Sequence, residues 1–201
     1  MRNMYVDLDD TFVETEQYCR RVLSSNYIKV PLNETVYVMY GEGRERQIFN
    51  EIFRNYSVIP LKDGARECMK LLETEYNIIF CSAYTTTVEA AAKEKLAKFL
   101  GKDIILCETN EKSHVEMGSG IFVEDNPRHL VCSKCEVANQ YLMYNPFTLD
   151  DEGVPYFNRF KGTTVFNWYE LVDKLMGGEE DVELRKYIRE RIQKFSQGDR
   201  L

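Results

Sequence analysis

At 201 residues and 23.6 kDa, the chain has room for one domain with an inserted lobe, or for two small domains. Its 44% hydrophobic and 29% charged residues allow a sizeable core and exclude disorder as the main state. A formal net charge of -7 argues against a non-specific nucleic-acid binder, which needs Lys and Arg to meet phosphates, but a small anionic substrate is compatible if a metal ion inverts the local field.

In chain order, the first strand is expected at Met4–Val6, and it runs straight into acid: Asp7, Asp9, Asp10 and Glu14 follow within eight residues. Residues 12–60 are too long for a simple crossover. They hold two helix-like stretches, "EQYCRRVLSSNY" and "RERQIFNEIFRNY", separated by a "GEG" break, and predict a small helical cap inserted after the first strand. "GARECMKLLETE" (64–75) places Ala65, Cys68, Met69 and Leu72 on one helical side. Short continuous apolar runs then predict strands at Asn77–Cys81, Asp103–Cys107 and Gly120–Glu124, with a weaker one at 140–145. "TTVEAAAKEKLAKFLG" (86–101) is rich in helix formers and stops at a glycine. Strands alternating with helices indicate an α/β fold with a doubly wound parallel sheet. The expected division is an α/β core of residues 1–11 and 61–178, a cap of 12–60, and an amphipathic C-terminal helix of 179–201. On that helix Leu184, Ile188, Ile192 and Phe195 share a face that docks on the body or forms a homodimer.

No run reaches the roughly 18 apolar residues of a membrane span, and the start lacks a basic region followed by an apolar stretch. Cys81 and Cys107 end apolar runs, where buried thiols commonly sit. The expectation is a cytoplasmic protein with six free cysteines. His129, Cys132 and Cys135 in "RHLVCSKC" are too few for a convincing zinc site.

In an open parallel sheet, ligands bind outside the carboxyl ends of the strands. The four expected strand ends supply Asp7 and Asp9, then Ser82, then Lys112, then Glu124 with Asp125. Carboxylates massed in one crevice repel unless a cation lies among them, and a hard ion such as Mg²⁺ takes few carboxylates plus waters and substrate phosphate. A metal, an ammonium and a hydroxyl make a phosphate receptor. An aspartate beside the phosphorus can attack it, and a second carboxyl two residues along can protonate the leaving oxygen.

"VDLDDT", "CSAYT", "NEKSH" and "VEDNP" together resemble the four motifs of the haloacid dehalogenase (HAD) superfamily of phosphatases. The resemblance covers about residues 3–145 and implies the following roles. Asp7 is nucleophile and metal ligand. Asp9 is general acid and base, binding metal through its backbone carbonyl. Ser82 and Lys112 hold phosphate, and Asp125 is the third protein ligand of Mg²⁺. Glu124 stands behind the direct ligands. Asp10 departs from the glycine many relatives carry there. "YLMYNPFT" and "YFNRFKGTTVFNWYELVDKL" are similar to the C-terminal part of the 5'(3')-deoxyribonucleotidases, with Asn145, Arg159, Asn167 and Trp168 as the matching residues. The latter stretch reads equally as a strand end and an amphipathic helix with Trp168 in the core.

The resemblance implies a Mg²⁺-dependent phosphomonoesterase acting on nucleoside monophosphates, with cap rings such as Phe12, Phe49 and Phe53 stacking on the base. The alternatives are the same chemistry on a sugar phosphate or a nucleic-acid 3'-phosphate, and a binding protein that keeps the fold without turnover. No membrane is implied among the partners.

Overall fold

The computed structural model describes residues 1–30, 36, 43–108, 112–146, 160–177, 186 and 190. Arg159 and nearly all of the 179–201 segment lie outside the described residues, so the expectations for them do too.

Six parallel strands form one sheet: β1 (Arg2–Val6), β2 (Tyr76–Tyr84), β3 (Asp103–Glu108), β4 (Ile121–Glu124), β5 (Gln140–Met143) and β6 (Thr163–Val165), in spatial order β3-β2-β1-β4-β5-β6. β1 is central, and the order reverses direction on either side of it, so a crevice opens between the tips of β1, β2 and β4. Alternation along β1 explains why both faces are covered. Met4 and Val6 belong to one apolar cluster and Tyr5 to a second, which also holds Phe122, Leu130 and Leu142. The 140–145 run is a true strand, and β6 extends the sheet beyond the strands read from the sequence.

The helices α3 (Ala65–Leu72), α4 (Thr87–Phe99), α5 (Pro127–Cys132) and α6 (Trp168–Met176) cross over the sheet. Local sequence sets their ends. Thr86 caps α4 by accepting from Glu89 N at 3.2 Å, and Gly101 (φ 68) ends that turn. Asn167 caps α6 by accepting from Glu170 N at 2.9 Å. Gly64 (φ 71) is tight against α6, where a Cβ would lie 2.4 Å from Tyr169 Cζ.

Between β1 and α3 the chain carries α1 (Thr15–Ser25), α2 (Arg44–Arg54) and a 3-10 turn at Tyr56–Val58. It leaves and returns through two adjacent linkers. Val13 bridges Leu61, Glu14 N donates to Pro60 O, and Lys62 N donates to Phe12 O. α2 presents Phe49 and Phe53, stacked in series with Tyr56 at 6.1 and 6.2 Å between centroids. All six cysteines are free, five of them buried. No described helix is long and apolar enough to cross a membrane.

Candidate active site

β1 ends at Val6, which is paired with Phe80 on one side and Val123 on the other. One residue on, Asp7 N donates to Val123 O at 2.9 Å, so the Asp7 carboxylate is fixed beside Glu124 at the end of β4. Lys112, in the 3-10 turn Lys112–His114 after β3, reaches in to bridge them. Its Nζ lies 2.5 Å from both Asp7 Oδ1 and Glu124 Oε2, and it is 1% exposed. His129 Nδ1 stands 3.4 Å from Glu124 Oε1 on the far side. Asp125 follows β4, and its Oδ2 accepts from Asn145 Nδ2 at 2.7 Å.

Among the described residues, Asp7, Glu124 and Asp125 form the group of His, Cys, Asp and Glu whose ligand atoms lie within 4.8 Å of one another. The balance of charge there is poor: three carboxylates share one ammonium. Burial, and then the charge of Glu124, raise Asp7 to about 7. Burial and Glu124 also push Asp125 well above the ordinary carboxylate value. Glu124 is buried too, yet Lys112 draws it down to about 2. A hard divalent cation fits this donor set, because it would supply the positive charge that Asp7 and Asp125 lack. The sequence places Glu124 behind the ligands; the structure puts it among the three converging carboxylates, because its register neighbours Asp7.

Asp9 faces elsewhere. Its Oδ1 accepts from Tyr56 OH at 2.6 Å and Thr15 Oγ1 at 2.7 Å, and its Oδ2 from Lys93 Nζ. Lys93 comes from the middle of α4, is fully buried, and also holds Glu89 Oε1 at 2.8 Å and the Ala83 carbonyl at 2.6 Å. Burial alone would raise Asp9, but Lys93, Tyr56 and Thr15 outweigh it and hold the group below its usual value. Two carboxylates two residues apart are thus driven in opposite directions, the pattern expected of paired groups with different chemical tasks.

Ser82 is not beyond the strand, as the sequence suggested, but within it. β2 runs to Tyr84 because it stays paired with β3 through Tyr84 and Glu108. The Ser82 hydroxyl is buried and has no hydrogen-bond partner among the described residues. Asp10 adopts the left-handed conformation (φ 54) that explains a glycine preference at its position. It tolerates this because its Oδ1 accepts from Glu16 N at 2.8 Å.

The aromatic expectations need correction. Phe12 is fully buried, tilted against Phe80 and edge-on to Trp168. Phe49 and Phe53 are equally buried, because α2 turns its apolar face onto the body. These rings are core, not crevice walls. Trp168 is buried too, donating from Nε1 to Thr11 O at 2.9 Å, and it also borders a cavity. What sequence reading missed is the hold of Lys93, Tyr56 and Thr15 on Asp9. The "TTVE" cap places α4 correctly but gives no sign that Lys93 turns inward.

A cavity of about 330 Å³ adjoins this centre, lined in part by Asp10, Lys62, Asn145 and Phe166.

Comparison with solved structures then places the architecture. A HAD-hydrolase from Bacillus subtilis, YfnB, described as putative and bound to magnesium, superposes with a TM-score of 0.50 at 14% identity, over 87% of this chain and 98% of its own. A putative beta-phosphoglucomutase from Thermotoga maritima gives a TM-score of 0.55 at 14% identity, over 88% of this chain and 99% of its own. The chain shares the α/β fold of these two structures. No known family profile and no curated protein matches the sequence. At the tips of β1 and β4 this sheet gathers Asp7, Glu124 and Asp125, with Lys112 bridging the first two.

Proposed function

We propose that the protein is a Mg²⁺-dependent phosphomonoesterase that passes through an aspartyl-phosphate on Asp7. The observation that carries this reading is the convergence of Asp7, Glu124 and Asp125 within 4.8 Å, with the buried Lys112 ammonium bridging Asp7 and Glu124. Asp7 attacks phosphorus, the bond to the leaving oxygen breaks, and that oxygen takes a proton from Asp9. Water then attacks the aspartyl-phosphate and returns a proton to Asp9. Ser82 and Lys112 hold the phosphoryl oxygens. Asp7, Asp125 and the Asp9 backbone carbonyl would hold Mg²⁺, which would supply Lewis-acid charge to the phosphoryl group. Lys93, Tyr56 and Thr15 hold Asp9 ionised, the form that activates water; its use as the acid in the first step requires these contacts to loosen when substrate arrives.

The substrate in this reading is a nucleoside monophosphate, which rests on the resemblance of residues 141–148 and 156–175. A sugar phosphate is the second reading. The burial of Phe12, Phe49 and Phe53 favours it, since these rings offer no face for a base, and so does the phosphoglucomutase among the structural neighbours. A panel of nucleotides and sugar phosphates, assayed for phosphate release with and without Mg²⁺, tests both. Release that is abolished by chelation and restored by Mg²⁺ is expected; release indifferent to divalent ions contradicts the reading.

A further inference from the structure

The ring that meets solvent beside the crevice is not in the cap. Phe166, just after β6, is 59% exposed, and lies 5.3 Å from the Tyr144 ring. Its backbone N is fixed by Glu170 Oε2 at 2.8 Å, so its position is set by the capped start of α6 rather than by a loose loop. Phe166 lines the 330 Å³ cavity together with Asp10, Glu14, Asp63, Lys62 and Asn145. A cavity of this size is at the lower end of those that take small molecules. It is joined to the catalytic centre through one side chain: Asn145 lines the cavity and donates to Asp125 Oδ2 at 2.7 Å. Asp10 joins it a second time, being the next residue after Asp9.

The lining has a definite chemistry. Its carboxylates outnumber its cations, with Lys62 the one cation among the described lining residues. Such a cleft repels a second anionic group and accepts hydrogen-bond donors. The ring adds a flat apolar face. We propose that this cleft holds the leaving group, and that it selects a flat, uncharged ring bearing N–H donors, such as an amino-substituted nucleobase, with Phe166 as the stacking face and Asp10 as an acceptor. Doubly phosphorylated substrates are excluded by the same carboxylates. This inference rests on the phosphomonoesterase reading and moves recognition of the base from the cap to the β5–β6 side.

The test compares kcat/KM for deoxyadenosine monophosphate and for ribose 5-phosphate, in wild type and in Phe166→Ala. Stacking on one ring contributes about 1–3 kcal/mol, so the ratio of the two should fall roughly five- to a hundredfold in the variant. Phe166 is exposed, so the substitution should not disturb folding. Asp63→Asn removes an exposed carboxylate from the lining and should raise efficiency on a ribose bisphosphate at least threefold. A second readout needs no turnover: deoxyadenosine titrated against the fluorescence of Trp168, the single tryptophan, should give a saturable change that Phe166→Ala weakens at least fivefold. A ratio unmoved by Phe166→Ala overturns the cleft assignment and leaves the phosphatase reading intact. Saturable nucleoside binding without phosphate release from any ester overturns the phosphatase reading while the cleft assignment stands. Neither binding nor release overturns both.

Discussion

Two buried lysines each stand between two carboxylates in this protein. Lys112 lies between Asp7 and Glu124, and Lys93 between Asp9 and Glu89. The pairs are alike in composition but opposite in electrostatic consequence. Around Lys112 a third carboxylate, Asp125, leaves negative charge in excess, and Asp7 is held up at about 7. Around Lys93 the balance closes: Glu89 is further satisfied by Thr85 N at 3.0 Å and Oγ1 at 2.9 Å, and Asp9 by Tyr56 and Thr15. The first arrangement lacks a cation, while the second is complete. In the proposed mechanism the metal and the attacking carboxylate belong to the first pair, and the proton-handling carboxylate to the second.

The comparison can be broken most severely at Asp7. Asp7→Asn should reduce phosphate release by about 10⁴-fold or more, in the range seen when a nucleophile is removed. Folding should persist, because the wild-type group already carries a partial proton at neutral pH. Circular dichroism alongside the assay separates the two effects.

Removing each lysine sharpens the contrast. Lys93→Met strands Asp9 and Glu89 in a buried site and should cost about 3–5 kcal/mol in chemical denaturation, with no relief from Mg²⁺. Lys112→Met should cost a similar amount without metal, and millimolar Mg²⁺ should recover much of it, since a cation can take the place of the ammonium. Equal responses of the two variants to Mg²⁺ would erase the distinction.

The pH dependence of the metal-free protein follows from the same asymmetry. Asp7 titrates at about 7 in the fold against 3.8 for the free group, so the folded state binds more protons than the unfolded one in that window. Stability contributed by this group is therefore present below pH about 4 and lost as pH rises to about 7. Its limiting slope is about 1.4 kcal/mol per pH unit. Asp10, raised by burial to about 8, acts in the same sense. Bound Mg²⁺ should flatten the Asp7 contribution, which urea titrations from pH 5 to 8 with and without metal would measure. The smallest expected effect is at Tyr56→Phe, which removes one of three donors to Asp9 and should cost about 1 kcal/mol.

The Lys112 pair was legible in the sequence and the Lys93 pair was not, for a physical reason. Asp7, Ser82, Lys112 and Asp125 follow apolar runs, and a parallel sheet gathers what lies at or near its strand ends. Lys93 sits four residues after Glu89 in a helix, the commonest spacing of a solvent-exposed ion pair, and nothing local says that this face turns inward. The expectation that Phe12, Phe49 and Phe53 stack on a base misled for a related reason. The presence of rings does not give their direction, and α2 lays Phe49 and Phe53 on the body while Phe12 wedges between Phe80 and Trp168. The α/β architecture and the weak fifth strand were readable from short continuous runs. The extension of β2 past Ser82 was not, since it depends on pairing with β3.

The most direct test of the account is to quench the protein in acid during incubation with a radiolabelled phosphate ester and Mg²⁺, and to map the label. The account predicts a protein-bound, hydroxylamine-sensitive phosphoryl group on Asp7 that is absent from Asp7→Asn and from chelated enzyme. Label on another residue, or brisk turnover with no covalent label at any quench time, would contradict it.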